Sequence, residues 1–262
     1  MANFPTIAIG LPFVHSSGLD ADAAAFLTAA GITDATITSA INTLVIGLKT
    51  NNLWSKIQAA YPFVGGTSDT HKFNLKNPAN TNAAFRLTYA GTITHNSNGI
   101  TGNGVNGTAN TYYIPSTNGN QNSQHICIYQ RNDLGATLSI HGTIGLNSNR
   151  LDIGRQTQSF MAINQSSSDV VTDAVGVGFL IGSRTASNVS SLYRKLVKLI
   201  SSTTASAALP NIGTIYFLSR ENSLFSAANL AYAGMGTGLT DAECVLYSGL
   251  VQNFNTTLGR QV

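Results

Sequence analysis

The sequence predicts an all-β fold class: a two-sheet antiparallel sandwich with a small N-terminal helical module and a C-terminal helix. Three observations carry this. Beyond Pro62, short runs of β-branched and aromatic residues alternate with Asn, Gly and Ser clusters at intervals of about ten residues, the pattern of strands and their turns. Residues 20–61 instead carry apolar residues at helical spacing. The last segment opens with Thr240-Asp-Ala-Glu243, a capping box in which hydroxyl and carboxylate each satisfy a free backbone donor at a helix start.

In chain order, residues 1–19 read as an extended anchor, since Pro5 and Pro12 fix φ and withhold two backbone donors. Residues 20–61 read as the helical module. Its first helix starts at the acidic Asp20 and Asp22, runs through an Ala-rich stretch and stops at Gly31. A second helix, capped by Thr33 or Asp34, places Ile37, Ile41, Leu44, Val45 and Leu48 on one face, and this face is a candidate homotrimer interface. A third is expected over Leu53–Ala60, carrying the single tryptophan, Trp54, and ending before Pro62. Residues 62–262 form the sandwich and its terminal helix. Strands are expected at residues 85–89, 111–114, 125–129, 137–140, 159–163, 175–181 and 213–218. Leu192, Leu196, Leu199 and Ile200 have helical spacing, but their surroundings favour a strand. In the final helix Val245, Leu246, Leu250, Phe254 and Leu258 form the expected apolar face.

The composition removes several function classes. The 262 residues, 43% of them hydrophobic, suffice for one large domain or two small ones. Only 10% are charged, and 26 asparagines stand against 11 carboxylates, so uncharged polar groups keep the surface wet. A net charge of +3 gives too weak a field to draw in nucleic acid. The longest apolar run, residues 174–182, is about half the ~20 residues a membrane-spanning helix needs. The prolines near the start and the lack of early positive charge argue against a secretory signal, so folding in a cytosol is expected. Cys127 and Cys244 then read as buried small hydrophobes.

Chemistry-bearing motifs reduce to structural readings. Gly102–Gly107 fits G-x-G-x-x-G but opens no helix, which leaves an Asn/Gly loop. Gly234–Gly238 does precede a helix, though a plain loop is the simpler reading. The chain has two glutamates, Glu221 and Glu243, and the second belongs to the capping box. Asp169 and Asp173 read as a loop rim, the five histidines are isolated, and no cysteine or histidine has a partner at metal-ligand spacing. No catalytic, metal or cofactor site is therefore expected, and no enzyme. A binding role survives. Sugars are met by aromatic rings and planar amides, and Tyr112, Tyr113, Asn147, Asn149, Arg150 and Arg155 lie in or beside Asn/Gly-rich segments as candidate glycan-binding residues. Structural tyrosines and solvating asparagines are the plainer alternative.

Beyond these patterns, three C-terminal segments resemble the end of concanavalin A-like (laminin-G-type) jelly-roll domains: residues 208–218, residues 225–243 with their Leu-Thr-Asp-Ala-Glu, and residues 251–260 with Val-Gln-Asn-Phe and Leu-Gly-Arg. Residues 26–78, with Asn51-Asn-Leu-Trp-Ser-Lys-Ile57 and His71-Lys-Phe-Asn-Leu-Lys-Asn-Pro78, resemble the region preceding such a domain in virion proteins of tailed bacteriophages. The Asn-Gly hairpin turn common in that family is replaced here by Tyr193-Arg-Lys-Leu-Val197. The resemblance implies a virion surface component, a head or tail fibre, assembled in the bacterial host cytoplasm. Its implied partners are other capsid or tail proteins and a host or mucosal polysaccharide, with no nucleic acid and no membrane. The alternatives are a polysaccharide depolymerase of the same fold and a ligand-free capsid decoration protein.

Overall fold

In a computed structural model, residues 18–262 are described, so most of the extended anchor expected at 1–19 lies outside them. The helix-start residues act as caps. Asp20 accepts the Asp22 N–H, and Gly31 turns left-handed (φ 64°) to end α1 (Ala21–Ala30). Asp34 accepts the Ile37 N–H to begin α2 (Ala35–Thr50), which buries Ile41, Leu44, Val45 and Leu48. Lys49 Nζ lies 2.7 Å from Asp20, tying the end of α2 to the start of α1.

The strands are β1 (Ile57–Tyr61), β2 (Thr88–Ala90), β3 (Ile93–Asn96), β4 (Gly99–Gly102), β5 (Thr108–Asn110), β6 (Gln124–Gln130), β7 (Ser139–Ile144), β8 (Arg150–Arg155), β9 (Ser159–Gln165), β10 (Asp169–Val171), β11 (Gly178–Ala186), β12 (Val189–Arg194), β13 (Val197–Ser202), β14 (Tyr216–Phe217), β15 (Ser219–Arg220), β16 (Leu224–Phe225) and β17 (Asn229–Gly236). One-turn helices α3 (Ser68–His71) and α4 (Pro115–Asn118) interrupt them, and α5 (Asp241–Thr257) follows. Sheet I runs β13-β12-β11-β6-β17-β4-β3, with β1 also on β17; sheet II runs β10-β9-β8-β7-β14-β5-β2, with β15 against β7. Pairing is antiparallel apart from the single parallel contact of β15 with β7.

Several expectations are corrected. The helix expected at Leu53–Ala60 shrinks to one 3₁₀ turn, Trp54–Lys56, and residues 57–61 are instead a strand on β17. So short a helix is marginal alone, whereas the strand buries Ile57 and Ala60 on one face and Ala59 and Tyr61 on the other. Residues 111–114 are not a strand, and the strand expected from Phe85 begins only at Thr88, because Phe85 takes φ 58°. Residues 192–200 do form strands, and β12 and β13 join through Lys195 (φ 54°) and Leu196, a hairpin without Asn-Gly.

Two apolar layers hold the sheets. In β6, Ile126 and Ile128 point between the sheets while Cys127 and Tyr129 point to the helices, and in β11 Leu180 and Ile181 divide in the same way. Strands buried on both faces read as unbroken apolar runs, which is how both were visible in the sequence. Helix α5 covers the helix side of sheet I. Its capping box forms as expected, but its most buried residues are Cys244, Tyr247, Val251 and Phe254, with Val245, Leu246, Leu250 and Leu258 only partly buried. Tyr247 and Tyr232 place their hydroxyls 2.8 Å apart beneath the helix. A Cβ on Gly47 would sit 2.6 Å from Leu250 Cδ2, so a side chain there would disturb the contact of α2 with α5. The apolar face of α2 read as a trimer interface is thus buried within its own chain.

Two buried arginines stitch segments together without a carboxylate. Arg260 donates to Pro62 O (2.6 Å), Phe63 O (2.8 Å), Ala231 O (2.9 Å) and Asn255 Oδ1 (2.8 Å). Burial pulls its pKa down to about 9. Arg184 donates to Ile163 O, Ser187 O, Thr204 O and Gln165 Oε1. In a sequence this poor in acids, backbone carbonyl dipoles take the counter-ion's place.

Candidate functional site

With α5 packed on sheet I, α2 on α5 and α1 on α2, the sheet face left without helices is the outer face of sheet II. Its orientation follows from alternation. Ala109, Phe217, Leu151, Ile153, Met161 and Ile163 point into the core between the sheets, so their strand neighbours point outward. One row crosses six strands by direct pairing: Thr88 with Asn110, Asn110 with Tyr216, Tyr216 with Gly142, Gly142 with Asp152, and Asp152 with Ala162. Arg220 also pairs with Gly142.

One half of the row is neutral. Asn110 Nδ2 donates to Tyr216 Oη (3.2 Å), and Asn110 Oδ1 accepts from Thr214 Oγ1 (2.7 Å) and from the Tyr112 N–H (2.8 Å). Tyr112, at φ 60°, sends its hydroxyl to Thr88 Oγ1 (3.0 Å). The other half is charged. Asp152 Oδ2 accepts from Arg220 Nη1 at 3.2 Å, and the Arg150 guanidinium lies close enough to act on the carboxylate by its charge. Asp152 is fully buried although it stands on the outward face. Burial raises its pKa to about 6, against the opposing pull of Arg220 and Arg150. Gly142 makes room for it: at φ 147°, a Cβ there would come within 2.6 Å of Asp152 Cβ and 2.2 Å of Leu151 O. Asp152 Oδ1 and the Nε atoms of Arg150 and Arg220 are buried and have no hydrogen-bond partner among the described residues.

The sequence-derived candidates divide. Tyr112 and Arg150 belong to this face, and Asn147 and Asn149 sit on the β7–β8 connection at one end of it. Tyr113 does not: it is fully buried, with its hydroxyl donating to Gln58 Oε1 at 2.8 Å. Arg155 lies at the opposite end of β8 from Arg150, paired with Asp133 at 2.8 Å and bonded to Gly135 O and Asp173 O. Both arginines are the end residues of strand β8. Asp152, Arg220, Asn110 and Tyr216 were missed. For Asp152 a signal exists, since Arg150-Leu-Asp-Ile-Gly-Arg155 alternates strictly and puts the acid on the face opposite Leu151 and Ile153.

Other features are structural. Asn103 Oδ1 accepts three successive N–H groups, of Val105, Asn106 and Gly107, so the G-x-G-x-x-G segment is an Asn-capped loop. Gly234 and Gly236 lie within β17, and the Thr237 and Gly238 N–H groups are taken by Lys56 O and Ser123 Oγ, leaving no anion cradle before α5. A cavity of about 540 Å³ lies by the start of α2, among Ile32, Ile37, Val64 and Leu258, where the Asp34 carboxylate already accepts from the Ile37 N–H and the Gly66 N–H donates to His71 Nε2. Cys127 and Cys244 are buried and unbridged. No helix among the described residues is long and apolar enough to cross a membrane.

No protein-family model matches the chain, and no curated protein does. Solved structures do. The Trypanosoma rangeli sialidase superposes with a TM-score of 0.53 at 11% identity, over 82% of this chain and 39% of the sialidase. The fold is a two-sheet β-sandwich. The binding domain of botulinum neurotoxin serotype D gives a TM-score of 0.50 at 7% identity, over 75% of this chain and 52% of that one. Botulinum neurotoxin type C gives 0.50 at 11% identity, over 78% and 53%. The chain thus spans 39–53% of the length of these structures, and at such identities the likeness is one of fold.

Proposed function

We propose that the chain is a non-enzymatic surface protein of a bacteriophage particle, of the head- or tail-fibre kind, that binds glycan on the outer face of sheet II. The observation that carries the binding half is the asymmetry of the sandwich. One sheet face is covered by the helical layer, while the other carries the hydroxyl of Thr88, the amide of Asn110 and the phenol of Tyr216 in one row, with the Arg220 and Arg150 guanidiniums beside Asp152 further along it. Such groups meet sugar hydroxyls and ring faces, and a pleated sheet holds them at fixed spacing. The low charge content suits recognition by neutral hydrogen bonds. Among the proteins of similar fold, cell entry of botulinum neurotoxin type C is dependent upon interaction with two ganglioside molecules. The particle half rests on the resemblance of residues 26–78 to the region preceding a concanavalin A-like domain in virion proteins of tailed bacteriophages.

The test is a glycan array probed with the intact chain, followed by titration of any hit against Tyr216→Ala and Asn110→Ala. Binding that both variants weaken about fivefold or more supports the reading. A blank array overturns it in favour of a ligand-free decoration protein, and release of reducing ends from a bound polysaccharide overturns it in favour of a depolymerase. Electron microscopy of assembled particles that lack the chain would refute the virion assignment.

A further inference from the structure

We propose that the charged half of this face recognises an acidic sugar, with Arg220 and Arg150 together holding its carboxylate; the inference rests on the glycan-binding reading and names the ligand class. Arginines of this chain differ in what their donors meet. Arg260 and Arg184 direct their guanidinium donors at carbonyls, and Arg194 is held by Asp173 at 2.5 Å and by Ser159 Oγ at 2.9 Å. Arg220 and Arg150 differ. Each makes one side-chain hydrogen bond from Nη1, Arg220 to Asp152 and Arg150 to Ser168 Oγ at 3.1 Å, and the Nη2 of each has no hydrogen-bond partner among the described residues. A guanidinium carries five donors in a planar fork that matches a carboxylate. These two therefore hold unused donors on the outer side of sheet II.

The charge count points the same way. Two guanidiniums act on one carboxylate, Asp152, so the cluster carries an excess positive charge even when that acid is ionised. Glu221, the next acid along the chain from Arg220, directs Oε1 at Thr143 Oγ1 (3.5 Å). The neutral part of the row, Asn110, Tyr216 and Thr88, lies across Gly142 from Asp152 and Arg150, and Arg220 pairs with Gly142 itself, so one sugar chain could place hydroxyls on one half and a carboxylate on the other. A uronic-acid residue within a polysaccharide has this combination.

The experiment is calorimetric titration of the full chain with oligogalacturonate, with a maltooligosaccharide of equal length and with a sulfated oligosaccharide, repeated for Arg220→Gln and Arg150→Gln. The expected result is uronate binding at least about tenfold tighter than neutral binding, weakened about tenfold by either substitution and falling as salt is raised. Salt dependence of the unaltered chain is read without any variant, so a variant that misfolds leaves the test intact. Equal affinity for uronate and neutral chains overturns the inference and leaves glycan binding standing. Preference for the sulfated ligand overturns the carboxylate assignment, and absence of all binding overturns the glycan reading itself.

Discussion

Replacing Arg260 with alanine tests how a chain with so few acids holds its segments together. The side chain is 1% exposed, and its guanidinium bonds residues 62, 63, 231 and 255. Truncation leaves four acceptors short of a donor in a buried site, and each unsatisfied acceptor costs about 1–3 kcal/mol. Against this stands relief from keeping a cation out of water, the effect that lowers its pKa to about 9. With partial relaxation, a net loss of about 4 kcal/mol is expected, a large share of the 5–15 kcal/mol typical of folded domains. For a chain of this size that lowers Tm by roughly 8–16 °C. Urea unfolding followed by tryptophan fluorescence and circular dichroism measures the loss as a shift in midpoint at constant slope. Arg260→Lys should fall between, because an ammonium has three donors and no planar fork. A loss below about 1 kcal/mol for the alanine variant would mean that the carbonyls find other donors, and the account of Arg260 as a four-way tie would be wrong.

Asp152 has its folded pKa raised to about 6, so the native state binds the extra proton and the acid's contribution to stability grows as pH falls. The unfolding free energy of the wild type minus that of Asp152→Asn should therefore increase by about 2 kcal/mol between about pH 7.5 and about pH 4.5, and a flat difference contradicts burial as the cause. Gly142→Ala should destabilise by roughly 2–4 kcal/mol, because φ 147° and a Cβ 2.2 Å from Leu151 O leave no room; an unchanged melting temperature would refute that packing. Burial pushes the Cys244 thiol up to about 12 and the Cys127 thiol higher than its ordinary range, so neither should react with a thiol reagent at about pH 8 until denaturant is added. Thr240→Ala should cost about 1 kcal/mol by removing the acceptor of the Glu243 N–H, read from thermal melts.

Features that rest on local chemistry were legible in the sequence. Asp20, Gly31, Asp34 and the Thr240–Glu243 box specify helix ends through bonds within a few residues, and each occurs as read. Strands β6 and β9 were visible because one side chain after another is buried. Features set by distant partners were not. Residues 57–61 look helical until β17, more than a hundred residues away, offers them a ladder. The expected apolar face of α5 does pack on the core, but Tyr247 joins it because Tyr232 and Phe179 receive its ring. At the candidate site, Tyr112 and Arg150 were found by composition. Arg220 and Tyr216 join them only through sheet pairing across the chain, and Tyr113 goes inward because Gln58 and Gln124 await its hydroxyl.

The position of β17 bears on how this chain is made. It is made after every strand it pairs with, yet its slot is interior: β6 flanks it on one side, and β4 and β1 share the other. Until residues 229–236 arrive, the nascent chain holds two part-sheets with raw edges that any like strand could occupy. A premature stop shortly before them would thus yield not a trimmed protein but an insoluble one, and quality control during translation has to bridge that interval.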